Sequence, residues 1–382
     1  MNLIQQAFQV PYSFNIVFTK GLFSTDNQEL SSFLSNFGDT RFQKKILFLI
    51  DAGVAENHPS LIASIKVYFN NNTNIDLVDD ILVMPGGELV KNNIIYLDQT
   101  LHAINKYGID RHSFVAAIGG GAFLDMVGYA SCIAHRGVKH IRIPTTVLSQ
   151  NDSGVGVKNG VNFLGKKNFL GTFSPPIAVF NDSNFLTSLS DRDWRSGISE
   201  AVKVALIKDL PFFEWLEANA QAMVERNMTV MNEQIFRSAA LHTNHISSGD
   251  PFEMGSARPL DFGHWAAHKL EYLTNFEIRH GEAVAVGIAL DSIYSKLLGL
   301  ISQEEVNRIS TLLKNLGFTL YNEKLSENEK MNLWEGLNEF REHLGGQLTI
   351  TILEQLGKGK EIHEVDFELM KLAVDELKLT VN

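Results

Sequence analysis

Six short apolar runs, rich in β-branched residues and each closed by turn residues, organise the first half of the chain. They are "NIVF" (15–18), "KILFLID" (45–51), "DILVMPG" (80–86), "SFVAAIGGG" (113–121), "HIRIPTT" (140–146) and "PIAVFND" (176–182). Runs of this length without polar alternation read as strands buried on both faces, and the helical patterns between them imply a mostly parallel sheet covered by helices. From about residue 184 long helical patterns take over, such as "ISEAVKVALIKD" and "EAVAVGIALDSIYSKLLGL", with one hairpin or strand expected at "QLTITILEQLG". The expected fold class is therefore α/β: an α/β domain over 1–183 followed by an all-helical domain over 184–382, apart from that one hairpin. No repeat, low-complexity tract or flexible linker separates them.

Charge and cysteine content narrow the function classes. Thirty-three Lys and Arg against 44 Asp and Glu give a net charge of −11, which excludes non-specific binding to nucleic acid or anionic lipid. Cations that matter must then be local. The single cysteine, Cys132, cannot form an internal disulfide, which suits a reducing compartment. No segment approaches the roughly 18 apolar residues of a membrane span, and the N-terminus lacks a signal-peptide pattern. The expectation is a soluble, unprocessed cytoplasmic protein.

Three motifs carry chemistry. In "VAAIGGGAFLDMVGYAS", Gly119, Gly120 and Gly121 turn a strand into a helix and would let a pyrophosphate approach the helix N-terminus, although the spacing is not GxGxxG. Asp51, ending "KILFLID", stands where a ribose hydroxyl would be held and disfavours a 2′-phosphate, which points to NAD; a helix cap accounts for it equally well. "PGGELVK" adds Glu88 and Lys91 on another strand-end loop.

The second motif is "PTTVLSQNDSGVGVKNGVNFLGKKNFLGTF". It gathers Thr145, Thr146, Asp152, Lys158, Lys166, Lys167 and Asn168 among glycines, a local group of cations suited to a phosphate, or else a surface hairpin with solvated lysines. Arg136, in "IAHRGVK", can add a guanidinium fork to the same anion or solvate a helix end.

The third motif is "FGHWAAHKLEYLTNFEIRHGEAVAVG". On a helix His264, His268 and Glu271 share one face, and His280 opens the next helix, so the group has the makings of a zinc site; spacing does not decide which members bind. His242 and His245, in "ALHTNHISSGD", are a lower-ranked competing pair. "SGISEAVKVALI" offers Glu200 as a carboxylate ligand with Lys203 one turn later, an acid and a base on an otherwise apolar helix.

Read in order, "GGGAFLDMVGYAS…HRG", "PTTVLSQNDSGVGVKNGVNFLGKKN", "FLTSLSDRDWRSGISEAVK", "FGHWAAH" and "RHGEAVAVG" resemble the 3-dehydroquinate synthase family of sugar phosphate cyclases over about residues 45–290. The resemblance implies a Rossmann-like N-terminal domain, a helical C-terminal domain, bound NAD, one divalent metal (zinc, with cobalt as the substitute) and a homodimer. It implies Glu200, His264 and His280 as metal ligands, with His268 facing the substrate. Asp152, Lys158, Lys167, Asn168 and Lys203 take substrate-binding and proton-handling positions. Arg136 matches an arginine that reaches a phosphate across the dimer interface, and Asp125 and Ser188 match nucleotide-contacting positions. The implied reaction on a small-molecule sugar phosphate is transient oxidation of a ring hydroxyl, phosphate elimination, re-reduction and intramolecular aldol closure.

Departures from the family pattern bear on the substrate. The family's carboxylate-binding lysine and arginine align with Thr243 and Ala257, with Arg258 one place off and followed by Pro259. Its asparagine three before the first histidine is Asp261, an added anion that repels a substrate carboxylate. The second glycine of the usual GGK is Val157, and "EFREHLGGQLTITI" replaces a lysine-rich closing element, with Arg341 or His343 as substitutes. Together these favour a non-carboxylated substrate such as sedoheptulose 7-phosphate and resemble a divergent clade of the EboD type. The rival readings are 3-dehydroquinate synthase proper, a metal-dependent alcohol or glycerol dehydrogenase, which lacks the Lys158 and Lys167 loop, and a binding protein that has lost catalysis.

Overall fold

The computed structural model describes residues 3–39, 41–72, 75–164, 166–248, 251–252, 260–343 and 346–380. The chain forms two compact units, residues 1–144 with 157–182 and residues 145–156 with 183–382.

In the first unit each of the six apolar runs is a strand. In chain order the strands are β1 (Asn15–Thr19), β2 (Lys45–Asp51), the two-residue β3 (Asp76–Leu77), β4 (Leu82–Met84), β5 (Phe114–Gly119), β6 (Lys139–Pro144), β7 (Lys158–Phe163), β8 (Lys166–Phe173) and β9 (Ala178–Asp182). Seven of them form one sheet in the order β1-β9-β6-β5-β2-β3, with β4 also on β2, and every pairing is parallel. β5 is buried along its whole length and β2 over its five central residues, as expected where helices cover both faces. Parallel pairing brings the carboxyl ends of the strands to one edge, so Asp51 and Gly119 end neighbouring strands there.

The second part of the polar loop, from Lys158 on, is the antiparallel hairpin β7–β8. Its Lys, Asn and Gly content gives no apolar alternation, so only the hairpin alternative for that loop anticipated it. It packs on the helix Gly121–Ile133 at Gly128, where a methyl group would sit 1.9 Å from Asn159 Oδ1. Only glycine admits that approach.

The second unit is helical apart from the expected hairpin, in which β10 (Ile350–Gln355) pairs antiparallel with β11 (Lys358–Ile362). It corrects one expectation: 1–183 is not one continuous domain, because Thr145–Gly156 belongs to the second unit. The reason is local: Asn151 donates to the Gly197 carbonyl at 2.7 Å and Asp152 meets His242 at 2.8 Å.

Two helices form the centre of this unit. Ile198–Lys208 has ten of its 11 residues buried and His280–Leu297 has 14 of 18, so both are core helices and not amphipathic ones. Leu206, Leu290 and Ile293 of these helices share one core with Phe212 and Leu216, each worth about 1.5–3 kcal/mol when fully buried. Asp209 caps the next helix, Leu210–Val224, by accepting the Phe212 N–H at 2.9 Å. Charges inside such helices are costly, which singles out Glu200, Lys203 and Asp291.

Candidate functional site

Glu200 is fully buried. Its Oε2 pairs with Lys203 one turn along, while Oε1 lies 3.6 Å from His264 Nε2 and 3.3 Å from His280 Nε2. Neither oxygen has a partner in proper hydrogen-bond geometry. Lys203 compensates the buried charge at Oε2, and Oε1, turned toward the two imidazoles, is left to a further cation.

The two imidazoles are oriented toward it. His264 Nδ1 lies 3.2 Å from the Phe262 carbonyl, which leaves Nε2 facing Glu200. Burial first, then the Lys203 charge and the neighbouring imidazoles, hold His264 well below the usual histidine range, so it is neutral and able to ligate. His280 Nδ1 lies 3.2 Å from Glu271 Oε2, a carboxylate–histidine arrangement of the kind that backs metal ligands. Burial would lower His280, but Glu271 and Glu200 outweigh it and push it up to about 9. Burial likewise would raise Glu200, yet Lys203 and His280 hold it at about 2. The pair of carboxylates, Glu200 and Glu271, thus favours positive charge at His280.

Ligand atoms of Glu200, His264 and His280 lie within 4.8 Å of one another, and so do those of His268, Glu271 and His280. The sets differ in what their carboxylates already do. Glu271 is engaged with His280 Nδ1, whereas Glu200 Oε1 faces the Nε2 atoms of both His264 and His280. His268 is exposed, its ring 5.6 Å from that of His264 and 6.0 Å from that of His280.

Around this cluster Lys203 stays a cation. Burial alone would lower it, but Glu200, Asp152 and Asp261 together raise it. Asp152, in the π-helical turn Ser149–Ser153, is buried against ionisation, yet Lys203 draws it below the usual range. Asp152 Oδ1 also lies 2.8 Å from His242 Nδ1. That contact places His242, ranked low in the sequence, beside a family position; no local pattern signals it, because the partners are 90 residues apart. The Asp261 carbonyl accepts the His264 N–H at 3.0 Å. Thr146 and Ser149 hydroxyls lie 2.8 Å apart, Thr145 is buried beside them, and the Ser188 hydroxyl donates to the Phe185 carbonyl at 3.2 Å.

In the first unit the nucleotide-type residues divide. Gly119, Gly120 and Gly121 run from β5 into the helix Gly121–Ile133, whose N-cap Gly120 supplies no side-chain cap, so its first N–H groups are available to an anion. Asp51 caps the short helix Ala52–Asn57, accepting the Gly53 N–H at 2.9 Å, and also takes the Gly120 N–H; burial raises its carboxyl. Glu88 and Lys91 are on the helix Glu88–Asn92, not on a strand-end loop, since Gly87 at φ +65 turns the chain into a helix there. Lys91 is buried, its ammonium 3.0 Å from Asp125 and in contact with Asn168 Oδ1. Glu88 accepts from Asn162 at 3.1 Å and lies 3.9 Å from Lys167.

Arg142, which sequence reading passed over within the strand "HIRIPTT", anchors this network. Fully buried, it donates to the Lys158 carbonyl and Asn159 Oδ1 at 2.7 Å each and lies 3.9 Å from Asp125. A charged residue in a buried parallel strand was the available signal. Lys158 is exposed, and Asn168 takes a left-handed turn at φ +54. Arg136 is exposed, at φ +61, with no partner among the described residues. Ala257, Arg258, Pro259 and the side chain of His343 lie outside the described residues. No helix among the described residues is long and apolar enough to cross a membrane.

Residues 81–196 match the model of the 3-dehydroquinate synthase N-terminal domain and residues 197–336 that of the C-terminal domain. A 3-dehydroquinate synthase of Acinetobacter baumannii (strain AYE) is 36% identical over 293 residues, 76% of this chain and 80% of the relative. A 2-epi-5-epi-valiolone synthase of Streptomyces glaucescens is 33% identical over 273 residues, 71% of this chain and 70% of the relative. Among solved structures, the 2-epi-5-epi-valiolone synthase of Streptomyces hygroscopicus subsp. jinggangensis 5008, with NAD+ and Zn2+ bound, superposes with a TM-score of 0.88 at 25% identity, covering 99% of this chain and 100% of that one. Two domain models spanning most of the chain, relatives above 30% identity over more than two thirds of it, and a cation-ready cluster on the matching motifs together establish that the chain belongs to the 3-dehydroquinate synthase family of sugar phosphate cyclases.

Proposed function

We propose that this chain is an NAD- and divalent-metal-dependent lyase that cyclises a seven-carbon sugar phosphate lacking a carboxylate, of the sedoheptulose 7-phosphate kind. The observation that carries the metal part is the fully buried Glu200 carboxylate, its Oε2 paired with Lys203 and its Oε1 facing two imidazoles whose other nitrogens are tied down. A divalent cation, zinc or cobalt, fits that donor set of one oxygen and two nitrogens. NAD fits the uncapped Gly119–Gly121 turn with Asp51 on the neighbouring strand. When bound, NAD supplies a transient hydride acceptor and the cation a Lewis acid.

The chain's own residues do the rest. Glu200, His264 and His280 hold the cation. Lys203, kept charged by its three carboxylates, orients substrate hydroxyls, and exposed His268, together with Lys158, Lys167 and Asn168, serves the departing phosphate. Asp152, backed by His242, holds a further hydroxyl. Arg136, exposed and without a partner among the described residues, reaches the phosphate of a second copy in a homodimer. Gly119–Gly121, Asp51, Asp125, Thr145, Thr146 and Ser188 serve the nucleotide. Lys91 and Glu88 support Asn168 and Lys167 through their contacts.

The substrate part rests on charge. Asp261 joins Glu200 and Asp152 around the single ammonium of Lys203. A substrate carboxylate would meet an acidic environment there, and Thr243 supplies no cation in place of the family's lysine. The family relation to 2-epi-5-epi-valiolone synthases accords with this. The test is incubation of purified protein with NAD+, Zn2+ or Co2+ and a panel of seven-carbon sugar phosphates, read by inorganic phosphate and product mass. Phosphate release from sedoheptulose 7-phosphate, and not from a heptulosonate phosphate, is expected. The reverse preference would make the chain a 3-dehydroquinate synthase proper, and NADH accumulation with a simple alcohol would make it a dehydrogenase.

A further inference from the structure

Asp291 takes no part in the chemistry above, yet it is fully buried in the middle of the helix His280–Leu297. Both of its oxygens are spent on one short stretch of chain. Oδ2 accepts the Gly263 N–H at 3.0 Å and Oδ1 accepts the Trp265 indole N–H at 3.0 Å. Those residues stand immediately before and after His264. Burial of a carboxylate on two neutral donors is costly: it pushes Asp291 up to about 7, and only a gain elsewhere explains such a group in a core helix.

The surrounding backbone is built to the same end. Gly263 caps the helix His264–Leu273 in the left-handed region at φ +77, and a side chain there would come within 2.6 Å of the Ile288 nitrogen. A Cβ at Gly287 would lie 2.0 Å from the Gly263 carbonyl oxygen. The two helices therefore touch backbone to backbone at Gly263 and Gly287, and Asp291, one turn further on, clamps both flanks of His264. His280 is the first residue of that same helix. One rigid rod thus carries one imidazole at its start and grips the backbone of the other about three turns later, some 16 Å along the axis.

We infer that Asp291 is a positioning residue for the metal centre: by holding the Gly263 backbone N–H on one side of His264 and the Trp265 indole on the other it sets the coordination geometry and affinity of the Glu200, His264 and His280 site. This rests on the ligand assignment proposed above. It acts through hydrogen bonds to the stretch bearing the ligand, in the manner of outer partners that tune metal sites.

The test uses Asp291→Asn and Trp265→Phe in the full chain. Three quantities are read: zinc affinity by chelator competition, the visible absorption of the Co2+-loaded protein, and the melting temperature of the metal-free protein. Asparagine turns an NH2 group toward one of the two N–H donors, so Asp291→Asn should weaken zinc binding about 10- to 100-fold and alter the cobalt spectrum. Trp265→Phe keeps the carboxylate and most of the ring volume, and should move both readouts in the same direction by less. Ile293→Ala, a cavity in the same helix, serves as control: it should lower the melting temperature and leave the cobalt spectrum unchanged. Wild-type zinc affinity and cobalt spectrum in Asp291→Asn overturn the inference whatever the melting temperature does. Should that variant not fold, the same result in Trp265→Phe overturns it. Failure of the ligand assignment looks different: His264→Ala would then bind zinc like the wild type.

Discussion

His264→Ala is expected to lose zinc and turnover together, whereas His268→Ala keeps zinc and loses turnover. The first substitution removes a neutral, buried imidazole whose Nε2 faces Glu200 across 3.6 Å. Metal affinity should fall by more than the about 10- to 100-fold that follows from disturbing an outer partner, because a direct ligand is gone. The second removes an exposed ring that shares the cluster but whose companion carboxylate, Glu271, is already engaged. Metal content by atomic emission, beside phosphate release, separates the two ligand sets. Zinc lost in His268→Ala and kept in His264→Ala would transfer the site to His268, Glu271 and His280.

The second large effect is on stability. Lys203→Met takes away the ammonium that compensates Glu200 and Asp152 in a dry core helix, and breaking a buried pair in this way costs about 3–5 kcal/mol. The pH dependence should change sign as well. In the wild type Glu200 is held at about 2 against an ordinary value of 4.5, so its contribution is fully present above 4.5 and is lost as pH falls toward 2. Without Lys203, burial raises Glu200, the carboxyl escapes by binding a proton, and the variant loses stability as pH rises. Added zinc should restore more stability to this variant than to the wild type, since a cation replaces the missing charge. Denaturant melts of the metal-free and zinc-loaded forms at pH 5 and pH 8 would read all of this; equal stability of the two metal-free proteins at both pH values would refute it.

Much of the fold was legible because burial on both faces leaves a continuous apolar run. β2 and β5 could be read for that reason, and the helix Ile198–Lys208 carried its two buried charges, Glu200 and Lys203, in plain view. The two-residue β3 was too short to leave a pattern, and β7–β8 is built from lysine, asparagine and glycine. Glu88 and Lys91 looked like loop residues because a five-residue helix entered through a left-handed glycine leaves almost no periodicity. His242, Arg142 and Asp291 were passed over or ranked low since each acquires its meaning from a partner distant in the chain.

Periodicity and residue chemistry alone therefore determined the parallel α/β unit, the helical unit after it and the inventory of ligand-capable side chains, because each is written in local spacing. Which of those side chains meet was decided by tertiary structure. Burial strips Glu200 of water, the Phe262 carbonyl and Glu271 turn two imidazoles toward it, and the Gly263–Gly287 contact holds their helices together. These outcomes depend on desolvation and on approach between segments up to 80 residues apart, and neither leaves a periodic trace in the chain.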